Sequence, residues 1–269
     1  MIDPVVDLSE VRARPGSVIF ADVRHYLDGR SGRAAYDRGH LPGAIFVDVD
    51  HDLAAPGSAA EGRHPLPSPE AFAERMARLG GGDDDTVIAY DDAGGVMAAR
   101  LVWMLRVTGH DAALLDGGVE AYAGELETAA PDRTRAAFTA RPWPAERLAG
   151  VEDATSGSFV VLDARQPERF RGESEPIDPR AGHIPGARNL PCRENLGTDG
   201  RFLPAVLLRE RFAAAGVTAG ASVVSYCGSG VTACHNLLAL ERSGLGPGRL
   251  YPGSWSQYSA TDRPAATGP

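Results

Sequence analysis

The chain has 269 residues, 43% of them hydrophobic, and a formal net charge of −9 at pH 7. That is enough apolar material for one large domain or two ordinary ones; the acidic balance argues against a nucleic-acid surface and requires any anionic substrate to be held by a local pocket. No run is apolar enough to cross a membrane, and the first fifteen residues, with Asp3, Asp7 and Glu10, lack secretory or transit-peptide character.

In chain order, a strand is expected to end at Phe20-Ala21-Asp22-Val23-Arg24, followed by a turn at Gly39-His40-Leu41-Pro42-Gly43-Ala44. Ser68-Pro69 reads as the cap and first position of a helix over Glu70 to Leu79. Asp83-Asp84-Asp85 reads as a solvated turn before the strand Thr86 to Tyr90, and Val96 to Val107 has a helical apolar face through Leu101, Met104 and Leu105. The proline- and alanine-rich stretch Gly124 to Gly150 is expected to bridge two halves, with Trp143 packed on one of them. Beyond it come a strand ending at Val161-Leu162-Asp163-Ala164-Arg165, the turn Gly182-His183-Ile184-Pro185-Gly186-Ala187, a strand Ala221 to Tyr226, and a helix over Ala233 to Ser243.

These elements occur twice. Asp22-Val23-Arg24 matches Asp163-Ala164-Arg165, and the two Gly-His-x-Pro-Gly-Ala turns match each other. Thr86 to Tyr90 matches Ser222 to Tyr226, and Leu115-Asp116-Gly117-Gly118 with Tyr122 matches Tyr251-Pro252-Gly253-Ser254 with Tyr258. An ordered internal repeat predicts two α/β domains, each a mainly parallel sheet flanked by helices, with boundaries at 1–124, 125–150 (linker) and 151–269. Recurrence of Asp22/Arg24 and Asp163/Arg165 in both halves argues that they brace the loops from inside.

The halves differ at one position that matters chemically. After the Tyr-ended strand, the first half has Asp91 and the second has Cys227, which opens Cys227-Gly228-Ser229-Gly230-Val231-Thr232 before a helix start. Successive amides in such a turn can face inward, and the helix adds its positive end, so the loop suits an anionic sulfur. Attack on sulfur needs the thiolate, and an ordinary thiol with a pKa of about 8.5 is largely protonated at pH 7. Glycine at 228 and 230 lets the backbone close around the sulfur. Asp91-Asp92 would repel an incoming anion, so thiol chemistry is expected in the second half alone. Cys192, Cys227 and Cys234 are too few and wrongly spaced for a disulfide frame or zinc site, so reduced thiols in the cytoplasm are expected, with Cys234 in the core and Cys192 in a packing or loop position.

The paired turns, the Cys227–Thr232 loop, Leu115-Asp116-Gly117-Gly118 and Gly253-Ser254-Trp255-Ser256 together resemble the tandem-domain rhodanese sulfurtransferases over nearly the whole chain. The resemblance implies that Cys227 takes a sulfane sulfur from 3-mercaptopyruvate or thiosulfate, holds it as a persulfide, and passes it to cyanide or to a thiol such as thioredoxin or glutathione, without a cofactor. Thiosulfate-preferring members tend to carry Arg and Lys just after the cysteine; Cys-Gly-Ser-Gly-Val-Thr is similar to the mercaptopyruvate enzymes, where the Ser229 hydroxyl could manage the departing enolate. By the same resemblance Arg169 holds the donor's anionic end, Gly228, Gly230, Val231 and Thr232 cradle the sulfur, and His40 joins Ser229 in a relay completed by Asp28 or Asp37. A second family arginine is expected near Ile177, and Arg180 is the candidate replacement.

Two rivals are weaker. A phosphatase of the Cys-x5-Arg type needs an arginine six residues after the cysteine, where Ala233 stands. A non-catalytic sulfur-carrier module would normally lose the cysteine or the loop glycines, and both are present. No metal-ligand spacing or dinucleotide fingerprint is visible.

Overall fold

Short β-branched and apolar runs, separated by glycine-rich turns, dictate two parallel sheets. The computed structural model describes every residue from Met1 to Pro269. Unit 1 comprises residues 1–55, 67–143 and 198–202, and unit 2 comprises 56–66, 144–197 and 203–269.

Unit 1 runs β1 (Val5–Val6), α1 (Leu8–Arg12), β2 (Val18–Asp22), α2 (Gly32–Arg38), β3 (Ile45–Phe46), α3 (Pro69–Arg78), β4 (Thr86–Tyr90), α4 (Ala99–Val107) and β5 (Ala112–Leu115). Its strands pair in parallel in the order β1-β5-β4-β2-β3. The central β4 is buried at all five positions, as a strand covered on both faces must be. Helix α3 starts where Ser68 Oγ accepts the Ala71 amide at 3.1 Å with Pro69 at its first position, and it buries Phe72, Ala73, Met76 and Ala77 along one stripe.

Unit 2 runs α5 (Val151–Thr155), β6 (Val160–Asp163), α6 (Pro167–Phe170), β7 (Arg188–Asn189), α7 (Ala205–Ala214), β8 (Val223–Tyr226), α8 (Ala233–Arg242), β9 (Arg249–Leu250) and α9 (Ser254–Tyr258). Its parallel order is β7-β6-β8-β9, and a parallel bridge from Leu148 to Leu250 places Leu148 beside β9 as β1 lies beside β5. Val161, Ile184, Val224, Tyr226, Tyr251, Trp255 and Tyr258 form its core.

The repeat extends to buried polar detail. Arg24 donates to Asp22 at 2.6 Å and to the Gly39 carbonyl at 2.7 Å; Arg165 donates to Asp163 and to the Gly182 carbonyl, both at 2.7 Å. Each pair ties its strand end to the following Gly-His turn, and each aspartate is fully buried.

The expected linker divides differently from the 125–150 reading. Glu127 bridges His40 as Ala266 bridges His183, and Trp143 donates to the Pro67 carbonyl at 2.8 Å and packs on Phe72. The segment up to Trp143 is therefore part of unit 1 and is the counterpart of the C-terminal tail of unit 2. Residues 56–66, from the first half of the sequence, belong to unit 2, and 198–202 belong to unit 1, where Asp116 accepts the Phe202 amide at 2.8 Å. These segments have no hydrophobic period, so the repeat could not assign them.

Candidate active site

The site of unit 2 is built where β8 ends. Cys227 follows Tyr226 directly and is 2% exposed; its Sγ accepts the Gly230 amide at 3.1 Å. Gly230 is left-handed (φ 78°), and a Cβ there would lie 2.5 Å from the Pro252 carbonyl oxygen, so only glycine lets this amide turn onto the sulfur. The amides of Gly228, Ser229, Val231 and Thr232 find no acceptor within the chain, and α8 begins immediately after them. Amides without an acceptor beside a helix N-terminus are an anion-stabilising arrangement.

A second strand-to-helix turn clamps the loop from behind. Ser254 Oγ accepts the Cys227 amide at 3.1 Å and donates to the Tyr251 carbonyl at 2.9 Å, while the Trp255 and Ser256 amides donate to the Cys227 and Gly228 carbonyls at 3.0 and 2.8 Å. Ser254 is the one non-glycine residue with positive φ (52°) in the chain. Such a conformation costs about 1–3 kcal/mol and persists where surrounding bonds enforce it, as these do.

The imidazole that meets Ser229 is that of His64, with Nδ1 2.7 Å from Ser229 Oγ. His64 lies in the 56–66 segment, which the sequence reading did not single out. Its signal was available only as Arg63-His64 in a glycine- and proline-rich stretch with no strand or helix pattern. The expectation for His40 is corrected. His40 is fully buried in unit 1, its Nδ1 meets the Tyr36 carbonyl oxygen at 2.9 Å, and its ring stacks on Tyr36 at 3.8 Å. His183 repeats this in unit 2, meeting the Phe170 carbonyl oxygen at 2.8 Å and stacking on Phe170 at 3.7 Å. Both are turn-fixing histidines. Neither expected relay acid reaches His40: Asp28 pairs with Arg30 and Asp37 with Arg33, all at the surface.

Two guanidiniums face the loop. A Cβ on Gly228 would lie 3.0 Å from Arg63 Nη2 and 3.5 Å from Arg169 Nη1. Neighbouring nitrogens of both are held by carboxylates. Arg63 Nη1 donates to Asp178 Oδ1; Arg169 Nη2 donates to Glu175 at 2.6 Å and to Asp178 at 3.3 Å, and Arg169 Nε donates to Glu175 at 3.2 Å. Burial acts to raise the Glu175 carboxyl, but Arg169 and the Asp178 amide outweigh it and the group sits below its ordinary value. Burial prevails at Asp178, whose carboxyl is raised. Arg63, not Arg180, is the second arginine at the loop. Arg180 is corrected to a structural role: its three nitrogens donate to the Ser259, Arg263 and Tyr258 carbonyls at 2.8–3.1 Å. Arg63, His64 and Asp178 also line an open cleft of about 570 Å³ with Gly57, Ile177 and Ser256.

Of the other thiols, Cys234 is fully buried in α8 beneath the loop. Burial, with a smaller contribution from Cys227, pushes the Cys192 thiol up to about 12.

The profile described as "Rhodanese-like domain" matches residues 7–125 and 148–261. The chain belongs to the rhodanese family. This rhodanese is 44% identical to the "Probable 3-mercaptopyruvate sulfurtransferase" of Pseudomonas aeruginosa, with 93% of each chain covered. It is 40% identical to the "Putative thiosulfate sulfurtransferase SseB" of Mycobacterium tuberculosis, with 93% of this chain and 91% of that one covered. The solved 3-mercaptopyruvate sulfurtransferase of Leishmania major superimposes with a TM-score of 0.82 at 34% identity, covering 97% of this rhodanese and 75% of that chain. The rhodanese is a sulfurtransferase that takes sulfur from a donor and gives it to a thiol acceptor.

Proposed function

We propose that the protein transfers the sulfur of 3-mercaptopyruvate through a persulfide on Cys227. The contact between Ser229 and His64 carries this reading, because it supplies a proton route that a mercaptopyruvate donor needs and a thiosulfate donor does not. The Cys227 thiolate attacks the donor sulfur, an S–S bond forms and the donor C–S bond breaks. The electron pair of that bond leaves as the enolate of pyruvate, and a proton delivered by Ser229, replenished from His64, turns the enolate into pyruvate. When thiosulfate gives up its outer sulfur it leaves sulfite, which is stable as an anion.

Arg63 Nη2 and Arg169 Nη1 are the donors for the substrate carboxylate, since they project over Gly228 while Arg63 Nη1 and Arg169 Nη2 and Nε are held by carboxylates. The amides of Gly228 to Thr232 hold the outer sulfur of the persulfide. An acceptor thiolate, from a small thiol or from thioredoxin, then attacks that sulfur and returns Cys227 as thiolate. No disulfide joins Cys192, Cys227 and Cys234, which fits a reducing compartment such as the cytoplasm.

The test is kcat/KM for both donors with wild-type, Ser229→Ala and His64→Ala proteins. Mercaptopyruvate is expected to be preferred by the wild type, and both substitutions to lower its kcat about 10²-fold while changing thiosulfate turnover little. Equal losses with both donors would contradict a proton route specific to the enolate.

A further inference from the structure

We propose that Asp178 is a specificity-determining residue, whose charge at the mouth of the cysteine loop disfavours doubly charged donors and so selects singly charged ones. The inference rests on the reading of Cys227, Arg63 and Arg169 as the donor site.

Asp178 is placed for this. Its side chain is 3% exposed, it lines the open cleft, and its two oxygens accept from Arg63 and Arg169, the two residues that overhang Gly228. Glu175 is tied differently: it also accepts from Arg165 at 3.2 Å and from the amides of Ile177 and Asp178, which makes it part of the loop's own framework. Asp178 has no such backbone partners for its carboxylate, so its pairing is with the donor-binding arginines alone.

The charges around the loop then balance. Arg63, Arg165 and Arg169 face Asp163, Glu175 and Asp178, so the cluster is neutral before Cys227 ionises and before a donor enters. No donor charge finds an uncompensated cation, so a dianion meets twice the repulsion from the carboxylates that a monoanion does. In a buried setting a charge a few ångströms away is screened far less than in water, so thiosulfate, a dianion at neutral pH, is penalised more than the mercaptopyruvate monoanion. Asp178 also holds Arg63 Nη1 and Arg169 Nη2, so it fixes which nitrogens are left for the donor.

The experiment compares Asp178→Asn and Asp178→Glu with the wild type, measuring kcat/KM for thiosulfate and for mercaptopyruvate and the mass of Cys227 after each donor. Asp178→Asn is expected to shift the ratio toward thiosulfate by about tenfold, and Asp178→Glu, which keeps the charge, to leave it within about twofold. An unmoved ratio in the asparagine variant, or equal shifts in both variants, would overturn the assignment. Should Asp178→Asn fail to fold, competitive inhibition of the wild type decides: sulfate must bind more weakly than pyruvate, and tighter sulfate binding overturns the proposal. Absence of added sulfur on Cys227 after mercaptopyruvate refutes the donor reading itself. A persulfide from both donors with an unmoved ratio refutes only the role of Asp178.

Discussion

After β4 the chain places Asp91 where, after β8, it places Cys227. The Asp91 carboxylate is buried and accepts four amides, from Ala93, Gly95, Met97 and Ala98, at 2.7–3.0 Å. Burial raises this carboxyl while the four amides pull against it. In unit 2 the loop turns a single amide, that of Gly230, onto Sγ and leaves those of Gly228, Ser229, Val231 and Thr232 without an acceptor in the chain, where the proposed persulfide would lie. The same strand-loop-helix device is therefore an internally saturated turn in one unit and, on the proposed function, a reaction cradle in the other. What separates them is whether the first side chain of the loop already satisfies the amides around it.

The largest effect expected from this contrast is at the nucleophile. Cys227→Ser should lower sulfur transfer from every donor by more than about 10³-fold, because a hydroxyl is a poor nucleophile toward sulfur; steady-state assays with both donors, beside a circular dichroism spectrum matching the wild type, check it. Gly230→Ala comes next. A methyl 2.5 Å from the Pro252 oxygen at φ 78° must turn the 230 amide off the sulfur, so kcat should fall about 10²-fold and the melting temperature should drop as well. If activity survives, that amide is not part of the cradle.

Asp91→Asn tests the other side of the comparison. Replacing a buried carboxylate that accepts four amides should cost about 2–4 kcal/mol of unfolding free energy in urea while leaving kcat near the wild-type value. A fall in kcat without a fall in stability would show that unit 1 takes part in the chemistry.

The smallest effect concerns the segment that joins the proline-rich stretch to unit 1. The Thr139 hydroxyl and amide, and more weakly His110, hold the Asp83 carboxyl down to about 2. A depressed folded-state value contributes stability above the unfolded value near 3.8, lost as pH falls toward about 2. Asp83→Asn should therefore melt slightly below the wild type at pH 5–7, and the gap should close as the pH approaches 2; a gap independent of pH would contradict the assignment.

The parts legible in the sequence were local. The repeat, the parallel strands and the loop from Cys227 to Thr232 depend on contiguous patterns of apolar residues and glycines. His64 and Arg63 depend instead on which unit the irregular segment 56–66 joins, and no period records that. His40 misled for an instructive reason: the Gly-His-x-Pro-Gly-Ala turn appears in both units, and both histidines stack on an aromatic ring and meet its carbonyl, Tyr36 in one and Phe170 in the other. A turn that recurs in the unit without cysteine serves the fold of both units, as the recurring Asp22/Arg24 and Asp163/Arg165 pairs do. Arg180 illustrates the converse, since charge alone in the sequence does not tell a substrate clamp from a guanidinium that ties down backbone carbonyls.

Mass spectrometry of the intact protein and its Cys227 peptide after brief exposure to mercaptopyruvate, without acceptor, decides whether Cys227 carries the transferred sulfur. The expected result is a gain of about 32 Da, one sulfur atom, on Cys227 alone, removed by thiol and absent from Cys192 and Cys234. An unmodified Cys227, or sulfur found on another thiol in a protein that still turns over, would contradict it.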